Sequence, residues 1–487
     1  MMAYWPALVY IDTPRYLGNF AIGIDPLGYE FLFTKPILLL HAGLAGVVLA
    51  QHVLGLAIGA ALYALVVRHG APRWLGVLAA APILLDSYQL QAEQMIMSDA
   101  FFEALICAAL VVLAWPGSRY RVSSRFMVAA ALLGLATTVR QIGELAIIPL
   151  LVYAVLSRRQ SEGPEGPRPA AKARARLALM ALGVFAVPVL AYMTLSATVL
   201  GGGFGLSNTS NRYLYARVAS AADCATLRLP ATERSLCPGD PGPGIDALAN
   251  GPTSPIHTYT PPAGVAPSTM VGKFDKAVVT QQPLRVTGEI GADMIKVFAL
   301  TKDGSDGDPP LDYWQFQTTY PVFQPAYRMV FNKDVPRPKA DPVLAPALRW
   351  YQLHGGYTPG PLLLVFSVAA VFGAFDPRSS RQRRAAAALG AGLALAVVAG
   401  ADLYEFSWRY QLPTLVLLPP AGVLGALAAA GTMKRCTRIR LTLNPRSGRW
   451  LAVSSIPIPG SGFGKTKSNG PTGPGAPTPS SSGTTSR

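Results

Sequence analysis

Charge is scarce in this sequence. Asp, Glu, Lys and Arg make up 14% of its 487 residues, against roughly 25% in soluble domains. Hydrophobic residues reach 51% and mean hydropathy is +0.32. A soluble enzyme and a disordered chain are therefore excluded as whole-chain readings. The 4 cysteines are too few for a disulfide scaffold. Histidine is limited to 5 residues, and HExxH, GxSxG and the Rossmann glycine fingerprint are all absent. Metalloprotease, serine-hydrolase and dinucleotide chemistry have no motif to rest on. One apparent phosphate loop, GSGFGKT at 460–466, fails on spacing. Three residues separate Gly460 from Gly464 where the motif needs four, and Pro459 holds the required position.

What the chain has instead is long apolar runs. A bilayer crossing takes ~20 mostly apolar residues. Nine stretches qualify or nearly do: about 43–67, 74–90, 98–115, 126–140, 143–156, 177–198, 360–375, 385–401 and 411–431. The fold class expected is an α-helical multi-pass membrane protein with about nine transmembrane helices and a mixed exterior segment. The stretches 126–140 and 143–156 read as a tight helical hairpin.

The net charge of +16 follows this topology. Segments 68–73, 116–125, 157–176, 376–384 and the tail after 431 hold 24 of the 42 Lys and Arg residues. The alternate short connections hold only Arg140 and Arg409. By the positive-inside rule the basic segments and the C-terminus are cytoplasmic, with 1–36 and 199–359 outside. The chain then belongs in the cell membrane, and its basicity reflects topology and lipid contact, not nucleic-acid binding.

Five regions follow: an exterior acidic head at 1–36, a transmembrane core at 37–198, an exterior segment at 199–359, further spans at 360–431 and a cytoplasmic tail at 432–487. Within the exterior segment, 212–222 and 283–301 have helical spacing, and 238–268, rich in Pro and Gly, reads as loop. Cys224 and Cys237 lie there, 13 apart, on the oxidising side. A disulfide is the expectation, and no CxxC or paired His favours a metal. Residues 459–487, rich in Gly, Ser, Pro and Thr, read as a disordered tail.

Acidic residues collect at the exterior turns. Asp12 and Asp25 lie in the head, Asp86, Glu93, Asp99 and Glu103 around the next turn, Glu144 at the third, and Asp402 and Glu405 at the last. Carboxylates with isolated arginines at one bilayer face suit glycosyl transfer from a lipid-phosphate sugar. A carboxylate takes the acceptor proton, and a fixed cation receives the departing phosphate.

Each candidate has a structural alternative. Asp12 before Thr-Pro is also a good helix N-cap. Asp25 before Pro26 also starts a turn. Asp99 opens a helix and would offset its dipole. Glu93 has no evident capping role, and Glu103 is a site candidate because burying a carboxylate there is expensive. Arg140 could pair locally with Glu144, and Arg409 could snorkel to the headgroups. His41 and His52 read as packed or helix-bonded, not as metal ligands.

Several stretches together resemble the integral-membrane C-type (GT-C) glycosyltransferases that use polyprenyl-phosphate sugars. They are YIDTPRYL, GIDPLGYEF, AQHVLGLAIGAALYALVVRHG, LLDSYQLQAEQMIMSDAFFEAL, GLATTVRQIGELAIIPLL and FSWRYQLPTLVLLP. Protein mannosyltransferases and lipid A aminoarabinose transferases belong to this superfamily. The stretch NRYLYARVASAADCATLRLPATERSLCP is similar to actinobacterial members, and the resemblance covers about 4–431. It implies an inverting transferase moving a sugar from a polyprenyl phosphate to an envelope glycan, lipid or protein. Asp12 would be the base, and Arg409, Arg140 and Tyr410 would hold the donor phosphate. Glu93 or Asp99 would organise the site or a divalent ion. It also implies a helix upstream of the acidic head. The rival readings are an envelope-lipid transporter or flippase and a non-catalytic membrane scaffold.

Overall fold

The computed structural model describes residues 1–18, 26–117, 122–157, 167–207, 209–239, 244–304, 308–320, 328, 330, 338–376, 379–436, 440–443 and 450–453. Asp25, the 460–466 motif and the 459–487 tail lie outside them. The apolar runs become helices, as they must where only intrachain partners can satisfy backbone N–H and C=O groups. In chain order these are α1 (Gly43–Arg68), α2 (Arg73–Leu85), α3 (Ser87–Gln94), α4 (Asp99–Ala114), α5 (Val122–Val139), α6 (Ile147–Ser157) and α7 (Pro167–Leu195). Segment 199–359 adds α8 (Ser210–Ala221), α9 (Ile245–Asn250), α10 (Pro267–Gln281), α11 (Pro283–Lys296) and α12 (Leu344–Leu353). The chain continues with α13 (Gly360–Phe375), α14 (Arg381–Asp402) and α15 (Pro413–Cys436).

Nine spans are not what results. Among the described residues, four helices are long and apolar enough to cross a membrane: Gly43–Arg68, Lys172–Leu200, Arg381–Asp402 and Trp408–Ala430. Four more are apolar but shorter: Arg73–Leu85, Ser123–Val139, Gln141–Ala154 and Gly360–Phe375. The second expected stretch is cut at Asp86. There the backbone turns extended, and the carboxylate caps a new helix by accepting from Tyr88 N at 3.0 Å. Its other oxygen accepts from Thr358 N at 2.7 Å, tying α3 to the start of α13. The fifth stretch, 143–156, opens with a 3-10 turn at Gln141–Ala146 before α6 begins.

Three of the basic connections, 68–73, 116–125 and 376–384, meet at one end of the bundle. Arg68 lies over the Trp115 ring, His69 bonds Ala114 O, and Arg383 donates to His69 O. Antiparallel α4 and α5 therefore carry Asp99 and Arg140 to the opposite end. At the α13–α15 crossing, a Cβ on Gly373 would lie 2.3 Å from Gly425 Cα. Only glycine permits that approach, the small-residue packing that membrane helices use where burial alone drives little.

Segment 199–359 holds its own apolar cluster, with Tyr215, Leu248, Phe274 and Val278 buried together. Helices α8 and α11 fall on the two expected helical stretches, but the expected loop at 238–268 contains α9 and a turn at Pro255–Thr258. Cys224 and Cys237 are disulfide-bonded. The head is pinned to the rest by a strand pair, β1 (Tyr4–Trp5) with β2 (Lys339–Ala340). Residues 434–487 form a separate unit, whose described part is the end of α15 at 434–436 and the hairpin of β3 (Arg440–Leu443) and β4 (Trp450–Val453), where Arg440 pairs with Val453.

One part-buried acid in this segment makes stability depend on pH. Burial pushes the Asp275 carboxyl up to about 7 from an ordinary 3.8, and its Oδ1 has no hydrogen-bond partner. Between those values the folded protein binds the proton more tightly than the unfolded chain does. The contribution of Asp275 to stability should therefore be greatest below about pH 4, fall as pH rises to about 7, and level off above. Partial exposure limits the loss to roughly 1–3 kcal/mol. Asp275→Asn should flatten that part of the curve of thermal midpoint against pH. An unchanged profile would remove Asp275 as the cause.

Candidate active site

The head reaches its position through backbone pairing. Leu8 N donates to Gln94 O at 3.0 Å and Ile96 N to Leu8 O at 3.3 Å, laying 8–10 beside the link between α3 and α4. The Thr13 hydroxyl accepts from Tyr10 N at 2.9 Å and donates to Ile96 O at 3.3 Å. Asp12 precedes the short helix Thr13–Tyr16 but makes no capping bond. Its carboxylate turns the other way, to Arg15 on one oxygen and to Arg409 Nη1, at 3.2 Å, on the other.

Arg409 is the hub. It lies on the 3-10 turn Trp408–Gln411 ahead of α15, 7% exposed. Its Nε sits 3.2 and 3.1 Å from the two Asp99 oxygens. Arg140, immediately past α5, also binds Asp99 and leaves Glu144 unpaired with it. Neither expected alternative holds: Arg140 is not in a local pair, and Arg409 is buried. The guanidinium carbons of Arg140 and Arg409 lie 5.1 and 5.4 Å from the Tyr410 ring centroid. Arg409 also faces Trp314 at 5.2 Å. Asp12, Asp99, Arg15, Arg140 and Arg409 together carry one excess positive charge.

The other acids lie elsewhere. Glu93 and Glu103 belong to a second buried network, bridged by Gln89, whose Nε2 donates to Glu93 Oε1 at 3.2 Å and to Glu103 Oε2 at 2.8 Å. His52 Nδ1 lies 2.8 Å from Glu93 Oε2, and its Nε2 3.1 Å from Gln94 Oε1. Gly55 makes room for Glu93: a Cβ there would lie 2.1 Å from Oε1. Glu405 is buried at the last turn, where burial, then Asp246, pushes its carboxyl up to about 8. Asp402 faces Gln411 Nε2 at 3.4 Å.

A divalent cation does not fit these residues. Among the described residues there is no group of three or more His, Cys, Asp or Glu able to hold one. Asp99 is taken by two guanidiniums, and Glu93 by His52 and Gln89.

The sequence reading missed four contributors. Tyr88, Gln91 and Trp314 line a cleft with Asp99 and Arg409. Lys302 Nζ lies 4.7 Å from the Tyr88 ring and 4.8 Å from Trp408, and burial lowers its pKa. No local pattern marks Trp314, at the end of the short 3-10 turn Leu311–Trp314, or Lys302, just past α11. No protein-family model, no curated protein and no solved structure matches the chain.

Proposed function

We propose that the protein is a membrane glycosyltransferase that moves a sugar from a polyprenyl phosphate to a cell-envelope acceptor at the outer membrane face. The observation that carries this reading is the Asp12–Arg409–Asp99–Arg140 cluster. It sets a partly exposed carboxylate beside buried guanidiniums at the bundle end opposite the basic connections.

The chemistry follows from those positions. Asp12, its side chain 16% exposed, is the group an acceptor hydroxyl can reach. Each of its oxygens has one lone pair beyond those facing Arg15 and Arg409. The acceptor oxygen attacks the anomeric carbon as its proton passes to Asp12. The bond from that carbon to the phosphate oxygen breaks, and the lipid phosphate leaves with the electron pair. One displacement inverts the anomeric centre. Arg409 directs Nε and Nη1 at carboxylates, which leaves Nη2 for the phosphate, and a charge-assisted contact there stabilises the developing charge. Asp99 holds both arginines in place before the donor arrives, so little reorganisation remains for the reaction itself.

The membrane helices suit a lipid-borne donor, since the anomeric carbon then lies at headgroup depth. One observation favours a transporter instead. Buried ionisable groups inside a bundle mark ion pathways, and the His52–Glu93–Gln89–Glu103 chain is of that kind. The test is transfer by the full chain in detergent, with short-chain polyprenyl-phosphate sugars as donors and an extract of envelope glycolipids as acceptor. Release of lipid phosphate coupled to a glycosylated product is expected. No release from any donor, together with lipid flux in proteoliposomes, would move the assignment to transport.

A further inference from the structure

Helix α12 turns its polar side chains inward and its apolar ones outward, the reverse of a helix on a water-facing surface. On a helical projection Leu344, Pro346, Ala347, Trp350, Tyr351 and Leu353 fill one half of its circumference, and all six are exposed. Trp350 is 63% exposed and Leu353 49%. None of the six carries a charge. The other half holds Ala345, Leu348, Arg349 and Gln352, buried or part-buried. Its polar members bond to the protein. Gln352 Oε1 accepts from Phe316 N at 2.7 Å, and its Nε2 donates to Trp314 O at 3.1 Å. Arg349 Nη1 donates to Phe316 O at 2.8 Å. Helix α10, in the same segment, has the ordinary sense. It buries Met270, Val271, Phe274 and Val278 and exposes Ser268, Thr269, Lys273 and Lys276.

The position of α12 says what covers its outward half. Helix α2 begins at Arg73 and α13 ends at Phe375, both beside basic connections, so Leu85 and Gly360 mark the opposite end of the bundle. Helix α12 lies at that end, joined to α13 through 354–359. The Tyr351 hydroxyl donates to Leu85 O at 2.7 Å. Leu85 is exposed, as are Trp74 and Val77 on the same side of α2. The outward half of α12 therefore continues the apolar stripe that α2 turns away from the bundle. Trp350 and Tyr351 suit the boundary between headgroups and acyl chains, where a ring is buried and its polar atom stays wet.

We propose that α12 is an interfacial helix, whose outward half from Leu344 to Leu353 is sunk in the lipid leaflet at the bundle end opposite the basic connections. Its inward half holds 314–316, so the same helix seats Trp314, 5.2 Å from the Arg409 guanidinium, close to headgroup depth. The inference does not depend on the glycosyl-transfer reading.

The test uses the full chain in phosphatidylcholine vesicles. Nitroxide labels are placed at Ala347→Cys, at Leu353→Cys and, as a water-facing control, at Lys273→Cys. Each chain also carries Cys107→Ala and Cys436→Ser, so that only the new thiol reacts. Relaxation by oxygen, which concentrates in lipid, against relaxation by a soluble nickel chelate gives each label's depth. The labels at 347 and 353 should lie about 5–10 Å into the boundary between headgroups and acyl chains, and the label at 273 in water. Nickel access at 347 and 353 equal to that at 273 would leave the face in water and overturn the proposal. Shielding of both from oxygen and nickel alike would overturn it in favour of a protein contact, such as a second copy of the chain. A second measurement needs no label. The part of the tryptophan emission that Trp350→Phe removes should be quenched by brominated phosphatidylcholine. If that part is not quenched, Trp350 lies outside the lipid and the proposal fails.

Discussion

Asp12→Asn is expected to slow transfer roughly 10²–10⁴-fold, the usual worth of a general base. The substitution keeps side-chain size and an oxygen for Arg15 or Arg409, so the head should stay docked on its backbone bonds to 94–96. Donor affinity should change little, because lipid and phosphate supply most of it. Arg409→Ala should behave differently and lose donor binding as well as turnover, since phosphate is contacted in both ground and transition states. Initial rates with a short-chain donor, alongside separately measured affinity, distinguish the two variants. Near-normal turnover in Asp12→Asn with a dead Glu93→Gln would move the base into the His52 network. Near-normal turnover in both would remove the argument for catalysis at this end of the bundle.

The largest effect on stability is expected at Asp99. Its side chain is 4% exposed and holds Arg140 and Arg409, themselves 8% and 7% exposed. Two buried guanidiniums without their carboxylate are far more costly than one exposed pair broken. Asp99→Ala should cost about 3–5 kcal/mol, the range for removing one partner of a buried ion pair. Asp12→Ala should cost less, because water reaches that carboxylate and replaces part of the interaction. The measurement is unfolding of each variant in the same detergent, by heat or by titrated denaturant. If Asp99→Ala unfolds with the parent, the arginines have other partners and the hub described here is wrong. If it unfolds early and Arg140→Met restores part of the loss, the unpaired charge is the cause.

The two effects separate roles that composition alone merges. Asp12 and Asp99 are both acids at turns of an apolar chain, and both touch Arg409. On the proposed transferase reading, the more exposed Asp12 would take the reacting role and the buried Asp99 the positioning role.

Much of the architecture was legible in the residues. Apolar runs of about the right length form helices because helix formation inside lipid depends on local composition and backbone satisfaction alone. Alternation along the chain places the basic connections at one end, and the bonds among Arg68, Trp115, His69 and Arg383 bring three of them, 68–73, 116–125 and 376–384, together in space. Asp12, Arg140 and Arg409 could be picked out because charge is so rare in their surroundings. Partner choice was decided by the tertiary structure. Arg140 binds Asp99 across two helices, not Glu144 four residues on, and Asp12 forgoes its cap for an arginine nearly 400 residues away. Asp86 divides one expected span because Thr358, far along the chain, offers its second oxygen a donor. Trp314 and Gln91, more than 200 residues apart, line one cleft, and Gln352 bonds to both. Hydrophobic periodicity is a property of neighbours in sequence. The pairing of a buried charge depends on which helix crosses it, and that is set by the packing of the whole bundle.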